Sequence, residues 1–427
     1  MSPTPLVFDV HSPAETNKGQ NPWRDIDFLL AVVYAACHLA LFSSLLGAYA
    51  PALIRMPLVL MAGITVAASA LVFLKGQYTA ALLSLAALLL LAVQIFQFST
   101  FAYSPASLNT AFSYTPIAGF IVYYNARRHL NAVMEFIFWT AMAYCAIYCL
   151  FSTSIATAGA DALPGAEGAK ILAGDDRGAR LALAIGHVVF GFFYALVRLR
   201  RSPKKLLWLL AVLLAGVSLY LSLSRSISVI VILTAVMFLF NLTGRKIRTF
   251  FLVGFLGFVA FNLAGVLVLD WNPFLIFSSD LSGEARARSY LVLQRYIGES
   301  PLFGLGLAPD RETFVSLVGG YYVFWEDLGP FGIWVTFGLV GLSASVLIGC
   351  LCLMGLRRTD LTPMNHEALL LAGFAIGLYG VQSPSAWAGT GTIISNVLVA
   401  IWVGQIANRS SKLGGDERQH YSLSTRS

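Results

Sequence analysis

The stretch Ala80–Phe96, AALLSLAALLLLAVQIF, decides the fold. It carries no charge and approaches the roughly 20 apolar residues that cross a bilayer as a helix. Leu206–Leu223, LLWLLAVLLAGVSLYLSL, is a second run of the same kind. Working outward from these two, apolar segments fall at about 26–48, 52–74, 79–100, 112–124, 132–155, 180–197, 206–223, 226–243, 249–269, 331–354, 366–381 and 391–408. They predict about twelve spans, with the fourth and eleventh the shortest. The whole chain of 427 residues is 58% hydrophobic and 11% charged, against roughly 25% charged for a soluble domain. These observations predict an all-α polytopic membrane protein. A single membrane domain, 26–408, is flanked by solvated, disordered tails at 1–25 and 409–427. Met1–Asn21 is polar and the first apolar segment has no small-residue cleavage site, so no cleavable signal is expected.

Charge placement sets the predicted topology. Lys75–Gln77, Arg127-Arg128-His129, Arg198–Lys205 (RLRRSPKK), Arg245–Arg248, Arg357-Arg358 and the tail from Arg409 all fall on alternate connections. By the positive-inside rule these connections and both termini are cytoplasmic. The net charge of +7 then faces anionic lipid headgroups and not nucleic acid. The five cysteines, Cys37, Cys145, Cys149, Cys350 and Cys352, lie inside apolar segments, with no disulfide or metal-ligand spacing. His38, His187, Gln94 and Gln97 are intramembrane polar residues expected to bond to neighbouring helices.

The opposite side holds the informative residues. Its longest connection, 270–330, reads DWNPFLIFSSDLSGEARARSYLVLQRYIGESPLFGLGLAPDRETFVSLVGGYYVFWEDLGP from Asp270. Loops of this length are more often site-forming than slack. Its pattern predicts a helix from about Glu284 to Ile297, a tight turn at Pro301–Gly306, and a second helix around Arg311–Leu317. Arg225 sits between two spans on the side where positive charge is disfavoured, flanked by Ser222, Ser224, Ser226 and Ser228. It reads either as a snorkelling interfacial residue or as an anion clamp with serine hydroxyls beside it. Arg286 and Arg288 diverge by roughly 200° on a helix, so only one can face a given site. Arg177 and Arg180 stand at the expected start of the sixth span, where an anionic partner or Asp175 and Asp176 would balance them. Glu326 and Asp327, beside Trp325, read as a general base or as helix-start acids. Trp271, Tyr321, Tyr322 and Trp325 fit either sugar stacking or an interfacial aromatic belt.

The pattern of the second half resembles the O-antigen ligase and Wzy-type polysaccharide polymerase superfamily; the first five spans match only in general architecture. That superfamily shows a Ser-Arg pair in a short outer turn, matched by Ser224-Arg225-Ser226. It shows an Arg four residues before an aromatic, matched by Arg286 and Tyr290, where Trp is usual. A Pro-Leu-Phe-Gly-aliphatic-Gly turn follows at Pro301–Gly306. Next come an acid and Gly-x-x-Gly, matched by Asp327, Gly329 and Gly332. An Arg just before a span ahead of the basic inner loop is also usual, and Arg180, or else Arg177, fits. The ligase branch carries a His about ten residues before the acid; Val315–Gly320 has none, which favours the polymerase branch.

The resemblance implies a metal-independent glycosyltransferase of the bacterial inner membrane, with no cofactor. Its donor and acceptor would be undecaprenyl-diphosphate-linked oligosaccharides, joined at the periplasmic face into exopolysaccharide or O-antigen. A flippase and a chain-length regulator are the implied partners. Arg225 and Arg286 would hold the donor diphosphate, Arg180, Arg177 and Arg288 the donor or acceptor diphosphate, and Tyr290 would stand among the substrate-binding residues. Asp327 or Glu326 would assist the acceptor hydroxyl. Rival readings are ligase-type glycan transfer, a transporter or flippase of the same lipids, and a scaffold of a secretion complex.

Overall fold

The computed structural model describes residues 22–43, 50, 53, 55–103, 107–158, 171–172, 180–222, 224–267, 271–272, 274–275, 281–308, 311–320, 323, 325–356 and 360–424. Before the first charged turn lie α1 (Ile26–Phe42) and α2 (Arg55–Leu74); then come α3 (Tyr78–Ala102), α4 (Leu108–Tyr114), α5 (Phe120–Asn125) and α6 (Leu130–Ala158). A two-residue hairpin, β1 (Ile171–Leu172) with β2 (Arg180–Leu181), leads into α7 (Ile185–Arg201), α8 (Lys205–Leu221), α9 (Arg225–Leu239) and α10 (Arg245–Leu267). The long connection contributes α11 (Leu281–Ile297) and α12 (Arg311–Leu317). Last come α13 (Gly329–Met354), α14 (Pro363–Tyr379), the short α15 (Ser385–Ala388) and α16 (Thr392–Ser424).

Among the described residues, five helices are long and apolar enough to cross a membrane: α2, α3, Arg127–Ser152 leading into and along α6, Arg245–Gly265 of α10, and α13. Shorter apolar helices are α1, α8, α9 and the Thr392–Asn408 part of α16. The centre of the bundle is α7, whose residues from Gly186 to Val197 are nearly all buried, as expected of a helix apolar on every side. Around it pack α6, α8 and α14.

The charged connections are tied together at one end. Asp27 accepts from Lys75 (2.7 Å) and from Asn125 (2.7 Å), and His129 pairs with Asp25 (2.8 Å). Arg200 reaches Asn241 (2.9 Å), and Arg201 pairs with Glu367 (2.6 Å). The sequence places these connections on one expected side; their hydrogen bonds tie the α1 start to the 75 and 125–129 connections, and the end of α7 to Asn241 and to α14.

The long connection folds at the other end. α11 and α12 share a core with α3 and the first half of α13, built on Tyr290, Leu293, Leu305, Phe314, Phe331 and Phe337. α13 is not continuous: Gly338 has φ 66° and ψ −169°. The Pro301–Gly306 turn is inserted into that break. Leu305 and Gly306 N–H groups donate to the Val335 and Thr336 carbonyls (2.7 and 2.9 Å), and Leu339 and Val340 donate back to Pro301 and Leu302 (3.0 and 3.3 Å). From α3, the Gln94 side-chain amide donates to Phe337 O (3.4 Å), while the Gln94 backbone carbonyl accepts from Leu307 N (3.1 Å). An interrupted helix at membrane depth is tolerable only when its backbone groups are satisfied by protein. The inserted turn does this here. Gly304 and Gly306 have φ +69° and +86°, and a Cβ on either would overlap the backbone of α13 or α3.

Four expected boundaries are corrected. The helix expected as the sixth span, α7, begins at Ile185, because the Ala184 amide is taken by the Tyr144 hydroxyl (3.2 Å) and the chain before it is extended. Arg180 therefore lies in β2, opposite Leu172, and not at a helix start. The segment expected as the fourth span is α4, a 3-10 turn (Thr115–Ala118) and α5, broken at Gly119, where a Cβ would collide with Tyr34 and Asn396. The tenth is broken at Gly338, and α16 runs to Ser424, through most of the tail expected to be disordered.

Candidate functional site

Four chain segments bring polar side chains together at the loop end. Tyr379 is the last residue of α14, and the chain turns sharply after it, with Gln382 N and Ser383 N both donating to Tyr379 O (3.0 Å each). Its phenol lies against the Ser224 and Ser383 hydroxyls and within electrostatic reach of Asp327 and Arg286. Ser224 holds the N-cap position of α9 without a side-chain capping bond, directly before Arg225, which is exposed. The turn that bears Arg225, the helix that bears Arg286, and the turn that bears Asp327 thus meet at one residue that sequence reasoning passed over.

Each segment is fixed from below. α11 is anchored by Tyr290, fully buried, whose ring lies on Phe331 (4.1 Å between centroids) and whose hydroxyl donates to Trp271 O (3.3 Å). Asn272 also donates to Ala287 O (2.8 Å). This leaves Arg286 half-buried, its Nε buried and without a hydrogen-bond partner among the described residues. Asp327 closes the 3-10 turn Trp325–Asp327. Gly329 follows with φ +53°, and its N–H donates to Gln382 O (3.1 Å). A Cβ on Gly329 would strike the Val381 carbonyl, and one on Gly332 the Trp325 carbonyl. The Gly-x-x-Gly pair after Asp327 is therefore what lets the acidic turn press onto the end of α14.

The other expected site residues separate. Arg288 is exposed and pairs with Glu284 (2.9 Å) on the far face of α11, as the 200° divergence requires. Tyr290 is in the loop's core, so its placement removes the reason for reading it as a substrate contact. Glu326 is exposed and within electrostatic reach of the Tyr114 phenol, whereas Asp327 is within electrostatic reach of Tyr379. Ser222 and Ser228 use their hydroxyls on the Leu219 and Ser224 carbonyls (2.7 and 2.9 Å), so of the four serines around Arg225 Ser224 is the one that faces Tyr379. Trp271 packs edge-on against Phe261 (4.7 Å), and Trp325 lies near Phe337 (6.1 Å). Arg177, Tyr321, Tyr322 and the Arg180 side chain lie outside the described residues. Among the described residues, no three His, Cys, Asp or Glu side chains are gathered as a metal site would need.

The missed residues, Tyr379 and Ser383, carried a legible signal. The turn Gly380-Val381-Gln382-Ser383-Pro384 falls on the same side as the long connection by alternation of spans, and it is rich in turn residues. Chemically, the cluster joins a partly buried guanidinium with an open donor, a carboxylate, and hydroxyls held in place by backbone turns. Such a set can bind an oxyanion and take a proton from a neighbouring hydroxyl. No protein-family model matches the chain, and a search of curated proteins returns no match.

Proposed function

We propose that the chain is a polytopic inner-membrane glycosyltransferase that polymerises undecaprenyl-diphosphate-linked oligosaccharide repeat units. Its helices would make about twelve spans, with the basic end and both termini in the cytoplasm and the loop end in the periplasm. The observation that carries the reading is the Tyr379 cluster. Segments that carry the superfamily resemblance and are far apart in sequence come near one another there: Ser224, directly before Arg225, and Arg286 and Asp327, both within electrostatic reach of Tyr379.

In this reading Arg286 and Arg225 grip the donor diphosphate. The planar guanidinium fork matches phosphate oxygens and never deprotonates. Asp327 accepts the proton of the acceptor hydroxyl as its oxygen bonds to the anomeric carbon. The C1–O bond to phosphate breaks, and the electron pair leaves with the diphosphate, whose growing charge the guanidiniums stabilise. Tyr379 and Ser383 orient Asp327 relative to Arg286. Conversion of lipid-linked repeat units to longer polymer by the purified protein, read on a gel, tests this. Arg225→Ala and Arg286→Ala should each abolish the ladder in protein that still folds; unchanged polymer length in both variants would overturn the reading.

The broken α13 bears on the transporter alternative, since discontinuous helices often form transport sites. Here the freed backbone groups on both sides of Gly338 are taken by the Pro301–Gly306 turn and by Gln94. The break therefore welds α11 to α13 and is not a vacant ion site, which favours the enzyme.

A further inference from the structure

Two of the basic connections are locked to each other. Lys205, at the start of α8, turns its ammonium back onto the Leu199 and Arg200 carbonyls near the end of α7 (2.5 and 3.0 Å). Arg200 in turn donates to Asn241 Oδ1 (2.9 Å) and Phe238 O (3.4 Å), and its guanidinium lies 5.1 Å from the Phe238 ring. Arg248 fixes the same α9–α10 connection through Thr243 O (3.1 Å). The connections 202–204 and 240–244 are thereby held side by side.

Arg200 and Lys205 are spent on these contacts, but their neighbours are not. Lys204, Arg245 and Lys246 are exposed, and among the described residues no carboxylate pairs with them. The carboxylates that reach the end of α7 are already taken, Glu135 by Arg198 (3.4 Å) and Glu367 by Arg201 (2.6 Å). Lys205 and the Arg245-Lys246 pair also open helices, where a cation is disfavoured unless an anion is near. Beside the first connection Leu206 and Leu207 are exposed, and beside the second Phe240, Leu242 and Phe250. Both connections lead into helices apolar enough to lie in a membrane. Unmatched cations bordered by exposed hydrocarbon fit an anionic amphiphile, with phosphate on the cations and acyl chain on the apolar side chains.

We propose that this face docks one phospholipid carrying two phosphates, Lys204 serving one and Arg245 with Lys246 the other. A lipid with one phosphate leaves the cations of one connection unmatched, and a zwitterionic lipid brings an ammonium among them. The contact differs from the general attraction of basic connections for anionic membrane, because it is a single site built on two locked turns. It uses none of the residues of the Tyr379 cluster and does not depend on what that cluster does.

The test is native mass spectrometry of the full chain, delipidated in detergent and given tetraoleoyl cardiolipin, dioleoyl phosphatidylglycerol or dioleoyl phosphatidylethanolamine. One cardiolipin per chain should be retained, bound at least about tenfold more tightly than either of the other lipids. A cation at an anionic lipid surface contributes about fivefold in affinity, so Lys204→Gln/Arg245→Gln/Lys246→Gln should weaken cardiolipin binding by about 30-fold or more. Because the three side chains are exposed and unpaired, the unfolding midpoint of this variant should stay at that of wild type. Lys204→Glu/Lys246→Glu serves if the triple variant does not reach the membrane. Arg24→Gln/Arg128→Gln removes exposed charge from other connections and should change binding by less than about twofold. Equal retention of phosphatidylglycerol, a loss of the same size in the Arg24/Arg128 variant, or cardiolipin binding unchanged without the three cations overturns the proposal. No substrate or polymer enters these readouts, so failure of the lipid site and failure of the polymerase reading are told apart.

Discussion

Two arginines at opposite ends of the bundle are both partly or wholly buried, and they are treated differently. At the basic end, Arg248 is 7% exposed. Its Nε donates to Thr243 O (3.1 Å), one terminal nitrogen to Leu353 O (3.4 Å), the other to Leu370 O (3.5 Å), and Phe374 lies 5.4 Å beneath its guanidinium. It caps the C-terminus of α13, where a cation is favoured by the helix dipole. At the loop end, Arg286 is less buried yet keeps a buried Nε unpaired. Arg198, at the basic end, also has an unpaired Nε, but it is tethered through Nη2 to Tyr194 (2.7 Å) and Glu135 (3.4 Å). A guanidinium satisfied by carbonyls is a bracket. One within electrostatic reach of the Tyr379 phenol, with a buried donor left over, is available to a ligand.

The largest expected effect lies in the backbone that holds the loop end. Gly338→Val would force a β-branched residue to positive φ and drive its Cβ into the Leu302 carbonyl, so a loss of about 4 kcal/mol or failure to fold is expected. Thermal unfolding in detergent measures it; a midpoint like wild type would mean that the turn does not hold α13. Next is Arg248→Ala, which leaves three carbonyls without their cation and should cost about 3 kcal/mol. Arg286→Ala should do the reverse. Its unfolding midpoint should stay at that of wild type while polymer formation falls about 100-fold, the size of one oxyanion-stabilising donor. If the two variants exchanged phenotypes, the distinction between bracket and ligand-binding arginine would fail.

Much of this was legible in the sequence because membranes make segment type readable. Each apolar run is a helix or a set of short ones, and the predicted α12 bounds, Arg311–Leu317, coincide with the structure. The helix predicted from Glu284 begins three residues earlier, at Leu281. What failed was local. Gly338 looks like any glycine inside an apolar run, and its role depends on a turn more than thirty residues upstream. Tyr379 reads as one more interfacial aromatic until α9, α11 and the 325–327 turn are brought to it. Arg288 and Tyr290 share the sequence neighbourhood of Arg286, but a helix sends the three to a solvent face, a core and a site. Residue spacing fixed that they diverge; only packing chose which one faces inward.

The same logic sharpens the two adjacent carboxylates. Asp327 and Arg286 both act electrostatically on Tyr379, whereas Glu326 acts on Tyr114. Asp327→Asn should therefore lower polymer formation by about 30-fold or more, within the usual range for a general base, while Glu326→Gln changes it by less than about threefold. Equal losses would show that the acid is shared between the two or lies elsewhere.

The smallest effect belongs to the residue that sequence alone made the equal of Arg286. Arg288 and Glu284 are both more than half exposed, at 63% and 57%. An i,i+4 pair so exposed is screened by water and salt and contributes about 0.5 kcal/mol or less. Arg288→Ala should leave the unfolding midpoint within error and polymer formation within about twofold. Raising the salt concentration should remove even that difference, because only solvent-facing charge is involved. A loss as large as that of Arg286→Ala would require α11 to rotate on binding substrate, by roughly half a turn. Tyr290 forbids that motion as long as its ring lies on Phe331 and its hydroxyl on Trp271, so the two substitutions on one helix measure whether this anchor holds during turnover.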